Sequence, residues 1–185
     1  MNAERGRLLL GLARSSIAEE LGGPPVERPA HDGWLDQPAA VFVSLHRRGE
    51  LRGCVGSLEA RRPLFDEVVR EAKAAAFEDT RMIPVQEREL PELEIELTLL
   101  DPLEPIGART EEELLGNLRP GKDGLLLRSR EGGAVFSPKM WAQLPEPRSF
   151  LHHLLRKAGL HRWPPDMKAF RFTADEVAEA QGEGV

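Results

Sequence analysis

The sequence predicts an α+β fold, with a mostly antiparallel sheet and flanking helices. Two apolar runs, 40–46 and 51–56, are separated by the polar connector 47–50, which contains a glycine and is typical of a β-hairpin. Residues 92–100 alternate between apolar side chains and glutamate or threonine, as expected of a half-buried antiparallel strand with its glutamates in water. Helical patterns interrupt these strands without the regular alternation of a parallel α/β protein.

The other elements follow from periodicity, capping residues and turn residues. In chain order we predict a helix over 4–21, a loop over 22–38, strands over 40–46 and 51–56, a helix from Pro63 to Glu78, a strand over 92–100, a short helix over 110–118, a hairpin with strands over 125–128 and 134–136, a helix over 149–158, a strand over 170–172 and a last short helix.

Three of these helices depend on local end signals. Thr110 and Thr173 each have a glutamate three residues later, which is the spacing of a capping box at a helix start. Ser149 is a typical N-cap residue, and Gly159 supplies the matching C-terminal stop. We therefore expect one helix from Ser149 and a final helix from Thr173.

Composition bounds the function. The net charge of −6 and the scattered arginines argue against a nucleic-acid-binding protein. A single cysteine excludes an internal disulfide and a multi-thiolate metal site, and it suits a reducing compartment, so we expect a cytoplasmic protein without a metal. The N-terminus lacks a secretory pattern, and the apolar runs are shorter than the roughly 20 residues that span a bilayer. We expect one domain over 1–185, with a frayed tail at 181–185.

The stretch Leu51-Arg52-Gly53-Cys54-Val55-Gly56 is the candidate site. In a regular strand Arg52 and Cys54 share a face, with their backbones about 7 Å apart, so the guanidinium can favour a Cys54 thiolate. Gly53 and Gly56 allow a ligand or another backbone to approach closely. The same pattern also suits binding of an anion without a covalent step. The alternative is that Cys54 is a small buried hydrophobe in a structural motif.

Asp79 and Arg81 follow the alanine-rich helix. One interpretation is that Arg81 joins Arg52 as a second anion-binding cation and that Asp79 orients it. The other is an ion pair or a helix-end cap. A nucleophilic cysteine usually works with a histidine, but the sequence places none beside Cys54. His46 is the nearest along the chain, and His152 and His153 diverge by about 100° on a helix, which makes them a poor metal-binding pair.

Several motifs, in order, resemble the AMMECR family, whose bacterial members are called AmmeMemoRadiSam system protein A. The hexapeptide matches the family signature, with Val55 in place of isoleucine. Four further stretches are similar to family motifs: Ala40–Leu45, Asp79-Thr80-Arg81-Met82, Glu89-Leu90 through Leu100, and Phe136-Ser137-Pro138 with Trp141 and Lys157–Leu160. The likeness extends over roughly residues 5–173, and it is specific because the motifs occur in order.

The resemblance implies an α+β fold with a large lobe and a smaller lobe, and a cleft near the strand Leu51–Gly56. It implies partnership with a Memo-like protein and a radical S-adenosylmethionine enzyme, but it names no reaction, substrate or cofactor. The leading hypothesis is therefore a protein that binds a small anionic molecule and in which Cys54 and Arg52 carry any catalysis. The ligand-binding residues would be Arg52, Gly53, Gly56, Asp79 and Arg81. The alternative is a non-catalytic interaction module in which the hexapeptide is structural.

Overall fold

We describe the computed structural model of the chain over residues 1–30 and 33–179. His31 and Asp32 of the predicted loop 22–38, and the predicted tail 181–185, lie outside these ranges. The elements in chain order are α1 (Ala3–Glu20), β1 (Pro38–Arg47), β2 (Glu50–Gly56), β3 (Arg62–Pro63), α2 (Leu64–Phe77), β4 (Leu93–Leu100), β5 (Glu104–Ile106), α3 (Glu111–Asn117), β6 (Gly124–Arg128), β7 (Gly133–Phe136), α4 (Pro147–Lys157), β8 (Lys168–Phe172) and β9 (Ala174–Ala178). The strand pairs β1–β2, β1–β4, β5–β8, β6–β7 and β6–β8 are antiparallel, which confirms the predicted α+β fold.

The chain divides into two compact units. The first comprises residues 1–100 and the segment from Asp175, and its sheet has the order β2-β1-β4-β9, with β3 beside β1. Helices α1 and α2 pack on one face of this sheet. Alternate residues of β1 and β4 enter the core on that face, namely Val41, Val43, Leu45, Leu93, Ile95 and Leu97. This clean alternation is why both strands were predictable from sequence.

The second unit spans Asp101–Ala174 and has a sheet of order β5-β8-β6-β7. Helix α4 supplies Phe150, Leu151 and Leu154 to its core, all fully buried. Trp141 stacks on Phe150 with ring centroids 3.9 Å apart, and its indole N–H donates to the Asp123 carbonyl oxygen at 2.7 Å. The indole N–H of this buried ring is therefore paired inside the core.

Two helix-start predictions were wrong. Helix α4 begins at Pro147, two residues before Ser149, because proline is well suited to the first helical position. The segment after Thr173 is strand β9, at the edge of the first sheet. There the Asp175 carboxylate pairs with the N-terminal ammonium, and Glu179 accepts from Arg14 at 2.8 Å. A capping box is a local signal, and these contacts with residues 165 or more positions away override it.

Helix α2 carries two buried carboxyl groups one turn apart, Glu67 and Glu71. One oxygen of Glu67 accepts from Arg62 at 3.1 Å, and one oxygen of Glu71 accepts from Arg70. The remaining oxygens, Glu67 Oε1 and Glu71 Oε2, have no hydrogen-bond partner among the described residues. Burial raises the pKa of Glu71; Arg70 opposes this effect and the Glu67 charge adds to it. One proton shared between the two carboxyl groups would satisfy both oxygens, and the Glu71→Gln variant tests this arrangement.

We expect Glu71→Gln to stabilise the protein at pH 8 by about 1 kcal/mol, the low end of the cost of an unpaired buried polar atom. When folding raises the pKa of a carboxyl group, the folded protein becomes less stable as the pH rises through that pKa. A glutamine stays neutral and avoids this loss. Urea unfolding at pH 8 and pH 5 should show the gain at pH 8 only. Glu78→Gln, at the exposed end of the same helix, is the control. A loss of stability that is equal at both pH values would contradict a shared proton.

Candidate functional site

A β-bulge interrupts β2 inside the hexapeptide. Three cross-strand pairs define its register against β1: Ser44 with Cys54, Leu45 with Gly53, and His46 with Leu51. Two steps along β2 thus match one step along β1, and Arg52 is the extra residue. The regular alternation predicted from sequence therefore breaks between Leu51 and Gly53, and Arg52 leaves the face that carries Cys54.

Arg52 instead binds the carboxylate of Glu89. Its Nε and Nη2 atoms donate to the two Glu89 oxygens at 2.9 and 3.0 Å, and its Nη1 donates to the Ile83 carbonyl oxygen at 2.7 Å. Arg47 donates to the same carboxylate at 3.0 Å, and so does the Gln86 N–H at 2.9 Å. These bonds, led by the one from Arg52, lower the pKa of Glu89 to about 2. The structure thus gives Arg52 an ion pair in place of the predicted contact with the Cys54 thiol.

The backbone of Cys54 is held by the side chains of Asp79 and Arg81. Strand β2 lies at the edge of its sheet, so one side of it lacks a neighbouring strand. On that side the Cys54 N–H donates to Asp79 Oδ2 at 2.9 Å, and Arg81 Nη2 donates to the Cys54 carbonyl oxygen at 3.0 Å. Asp79 and Arg81 are themselves paired at 2.7 Å. The structure therefore brings together Cys54, Asp79 and Arg81, three of the six residues singled out from sequence.

Arg81, whose Nη2 bonds the Cys54 carbonyl oxygen, is also electrostatically coupled to Cys54. Its hydrogen bond to Asp79 is the main cause of its raised pKa, and charge on Cys54 makes a smaller contribution. The same hydrogen bond is the first cause that holds the pKa of Asp79 well below its ordinary value. The Arg81 side chain is 60% exposed, and its Nη1 makes no hydrogen bond within residues 1–30 and 33–179. One edge of this guanidinium is thus open to a ligand.

Gly53 and Gly56 serve internal packing. A Cβ on Gly53 would come closer to the carbonyl oxygen of Ala75, in α2, than real Cβ atoms approach another heavy atom. A Cβ on Gly56 would overlap the ring of Phe42 in the same way. The predicted close approach is therefore made by helix α2 at Gly53 and by an aromatic side chain at Gly56.

The face of the first sheet opposite α1 and α2, which we call the second face, carries two rows of side chains across β2, β1 and β4. One row is Cys54, Ser44 and Glu96, and the next is Leu51, His46 and Glu94. The Ser44 hydroxyl donates to Cys54 Sγ at 3.3 Å. Sequence reasoning missed Ser44 and left His46 open, although the alternation of β1 already placed both on one face.

The other polar candidates lie elsewhere. His152 contacts Glu111 at 3.4 Å, and His153 bonds the Ser149 carbonyl oxygen at 2.9 Å, both in the second unit. Within the described ranges, no three histidine, cysteine, aspartate or glutamate side chains are grouped to hold a metal ion. Among the same residues, no helix combines the length and the apolar character needed to cross a membrane.

Comparisons with known proteins agree with the motifs. The sequence model of the AMMECR1 family matches residues 10–177. A protein of Thermofilum pendens is 32% identical over 204 residues, and the match covers 100% of this chain and 94% of that protein. A protein of Saccharolobus solfataricus is 36% identical over 170 residues, which cover 86% of this chain and 74% of that protein. The crystal structure of an uncharacterized protein from Pyrococcus horikoshii has a TM-score of 0.85 and 30% identity, covering 100% of this chain and 96% of that one. The resemblance is confirmed, and this chain belongs to the AMMECR1 family.

Proposed function

We propose that this protein binds a small anionic molecule on the second face of its first sheet, beside Cys54, and that Arg81 is the cation that holds it. The observation that carries the proposal is the way the Arg81 guanidinium is hydrogen-bonded and exposed. Asp79 holds two nitrogens of its guanidinium, Nη2 also binds Cys54, and Nη1 is open. A fixed, largely exposed guanidinium beside a thiol suits a carboxylate or phosphate group.

The other predicted site residues stabilise the strand and the side chains that form this site through internal contacts. Arg52 ties β2 to Glu89, Gly53 lets α2 pack closely, and Gly56 accommodates Phe42. Asp79 orients Arg81 and anchors the Cys54 backbone. If the bound molecule is turned over, Cys54 is the group that we propose to react, as a nucleophile or as an acid–base group. We further propose that this takes place in the cytoplasm, together with a Memo-like protein and a radical S-adenosylmethionine enzyme.

The test compares two alkylating agents of similar size. Iodoacetate is anionic and iodoacetamide is neutral, so the ratio of their rates at Cys54 measures how strongly the site attracts an anion. We expect Arg81→Gln to lower this ratio about five-fold, the equivalent of about 1 kcal/mol for one partly exposed charge. The ratio for the unaltered protein should also fall in 1 M salt, because salt screens the exposed guanidinium.

Arg88→Gln is the matched control, since Arg88 is an exposed arginine of the nearby 3-10 turn Glu87–Glu92. It should leave the ratio unchanged. Equal ratios for the unaltered protein, the Arg81 variant and a free thiol would rule out the anion site. If the ratios differ as expected, native mass spectrometry of the protein after incubation with a cell extract would identify the bound ligand.

A second candidate function is a non-catalytic interaction module. It is favoured by the observation that Arg52, Gly53, Gly56 and Asp79 all make internal contacts. Under this proposal the hexapeptide only shapes a docking surface, and Cys54 alkylation shows no preference for the anionic reagent. Co-expression with the Memo-like and radical S-adenosylmethionine proteins of the same genome, followed by size-exclusion chromatography, would test the partners directly.

A further inference from the structure

The two units of the chain carry opposite net charges. Residues 101–174 contain 12 lysines and arginines and 9 aspartates and glutamates, a net charge of +3. Because the whole chain has a net charge of −6, the sequence of the first unit carries −9. The total charge of the chain conceals this asymmetry, which indicates that the second unit has an electrostatic surface of its own.

The positive excess lies at one end of the second unit, which we call the basic end and define as residues 129–132 and 156–168. This end contains five lysines and arginines and two acidic residues. The other cations and anions of the unit, seven of each, balance. All five cations of the basic end are exposed: Arg130, Arg156, Lys157, Arg162 and Lys168.

Three segments meet to form the basic end. The turn between β6 and β7 packs against the end of α4, since a Cβ on Gly132 would lie only 2.2 Å from the Ala158 carbonyl oxygen. The same turn reaches the segment after α4, where the Arg130 N–H donates to Asp166 Oδ2 at 2.9 Å. Backbone atoms make these contacts, so the fold fixes the points from which the cationic side chains project.

The two arginines at the centre of the basic end are only loosely paired. The Arg130 side chain is 94% exposed, and its Nε lies 3.9 Å from the Asp166 carboxylate. The Arg162 side chain is 79% exposed, and its Nη2 lies 3.9 Å from the Glu131 carboxylate. Exposed ion pairs at this distance contribute little to stability. Both guanidiniums can therefore exchange these contacts for those of a partner at little cost.

Trp163 places an aromatic ring beside these cations. It follows Arg162 directly, and its half-buried side chain packs against the core of the second unit. Pro164 and Pro165 come next and restrict the backbone. Tryptophan and arginine are the residue types that contribute most often to binding energy at protein interfaces.

We infer that the basic end binds an acidic segment of a partner protein. In this complex Arg130, Arg156 and Arg162 contact carboxylates, and Trp163 contacts an apolar side chain of the segment. A short acidic segment matches a local excess of three charges, because salt screens charges beyond about 8–10 Å. Nucleic acids carry a charge on every nucleotide, and proteins that bind single strands stack successive bases on several aromatic rings. The basic end has one tryptophan and the chain as a whole is acidic, which favours a protein segment.

The test is the fluorescence anisotropy of labelled peptides titrated with the whole protein at low salt. The probe is a peptide of glutamate and leucine, and its reference has glutamine in place of glutamate. We expect only the acidic peptide to bind, and 1 M salt to abolish the binding. The double variant Arg130→Gln with Arg162→Gln should bind about ten-fold more weakly, because it loses two exposed charges. A peptide with serine in place of leucine should bind about three-fold more weakly, since it offers Trp163 no apolar contact.

The matched control is the double variant Arg109→Gln with Lys122→Gln, which removes two exposed cations of the same unit outside the basic end. It should keep the affinity of the unaltered protein. Failure of the acidic peptide to bind, or an equal loss in both double variants, would overturn the inference. Tighter binding of an oligouridylate of equal length, or self-association that the Arg130 and Arg162 substitutions abolish, would assign the surface to another occupant and overturn it too.

Two further measurements accompany each variant. The urea midpoint checks that the variant is folded. The iodoacetate-to-iodoacetamide ratio at Cys54 should stay at the unaltered value, because it depends on Arg81 in the first unit. The docking surface and the anion site can therefore fail separately.

Discussion

Gly53→Ala should destabilise the protein by about 3 kcal/mol, the upper range for overpacking a well-packed core. The added methyl group would overlap the carbonyl oxygen of Ala75, a backbone atom in the last turn of α2. A flexible side chain could swing away, but a helix carbonyl moves only if the helix moves. Since α2 also packs on β1 and α1, relief at one point opens contacts elsewhere. Urea unfolding measures the loss directly.

Gly11→Ala is the matched control for this substitution. Gly11 lies inside α1, and a Cβ there meets no heavy atom within 4 Å among the described residues. Alanine at that position should be neutral or stabilise the protein by about 0.5–1 kcal/mol, because a helix-interior glycine costs conformational entropy. If Gly53→Ala loses less than about 1 kcal/mol, then β2 and α2 are not in close packing at this point.

Arg52→Ala should cost about 3 kcal/mol at pH 7, because it removes one partner of a mostly buried ion pair and leaves the Glu89 carboxylate behind. Arg47 and the Gln86 N–H still contact Glu89, so we expect the lower end of the range for such a loss. The ion pair also joins β2 to the segment that follows Arg81, so the variant should loosen the edge of the sheet at the candidate site.

The pH dependence gives the same substitution a second measure. Glu89 has a pKa of about 2 in the folded protein against an ordinary value of 4.5. A lowered carboxyl pKa stabilises the fold above the ordinary value, and that contribution is lost as the pH falls towards 2. The cost of Arg52→Ala should therefore be smaller at pH 3 than at pH 7. Arg61→Ala, which breaks an exposed pair with Glu59, should cost under about 0.5 kcal/mol at both. An equal cost for the two variants would show that the Arg52 pair is only a surface contact.

Local periodicity predicted the elements of this protein well wherever one face of a strand or helix enters a core. Strand β4 is the clearest case, since Leu93, Ile95 and Leu97 are all buried as their spacing indicated. The prediction failed at Thr173, where the capping-box spacing indicated a helix. The segment instead forms strand β9, which pairs with β4, and its side chains contact Arg14 and the N-terminus. A short segment with weak local preference takes the structure that its distant partners stabilise.

The sequence by itself determined that the stretch Leu51–Gly56 is a strand of an α+β protein and that it resembles the AMMECR family signature. It also singled out Cys54, Asp79 and Arg81 as candidate site residues. Only the tertiary structure decided which side chain serves which purpose. The bulge at Arg52 depends on the pairing of β2 with β1, and its guanidinium is held by Glu89, 37 residues further along the chain. Ser44 and His46 became neighbours of Cys54 through that same pairing. Strand alternation is a local rule, whereas register and bulges are set by contacts between segments, and for that reason the site could not be read from the hexapeptide alone.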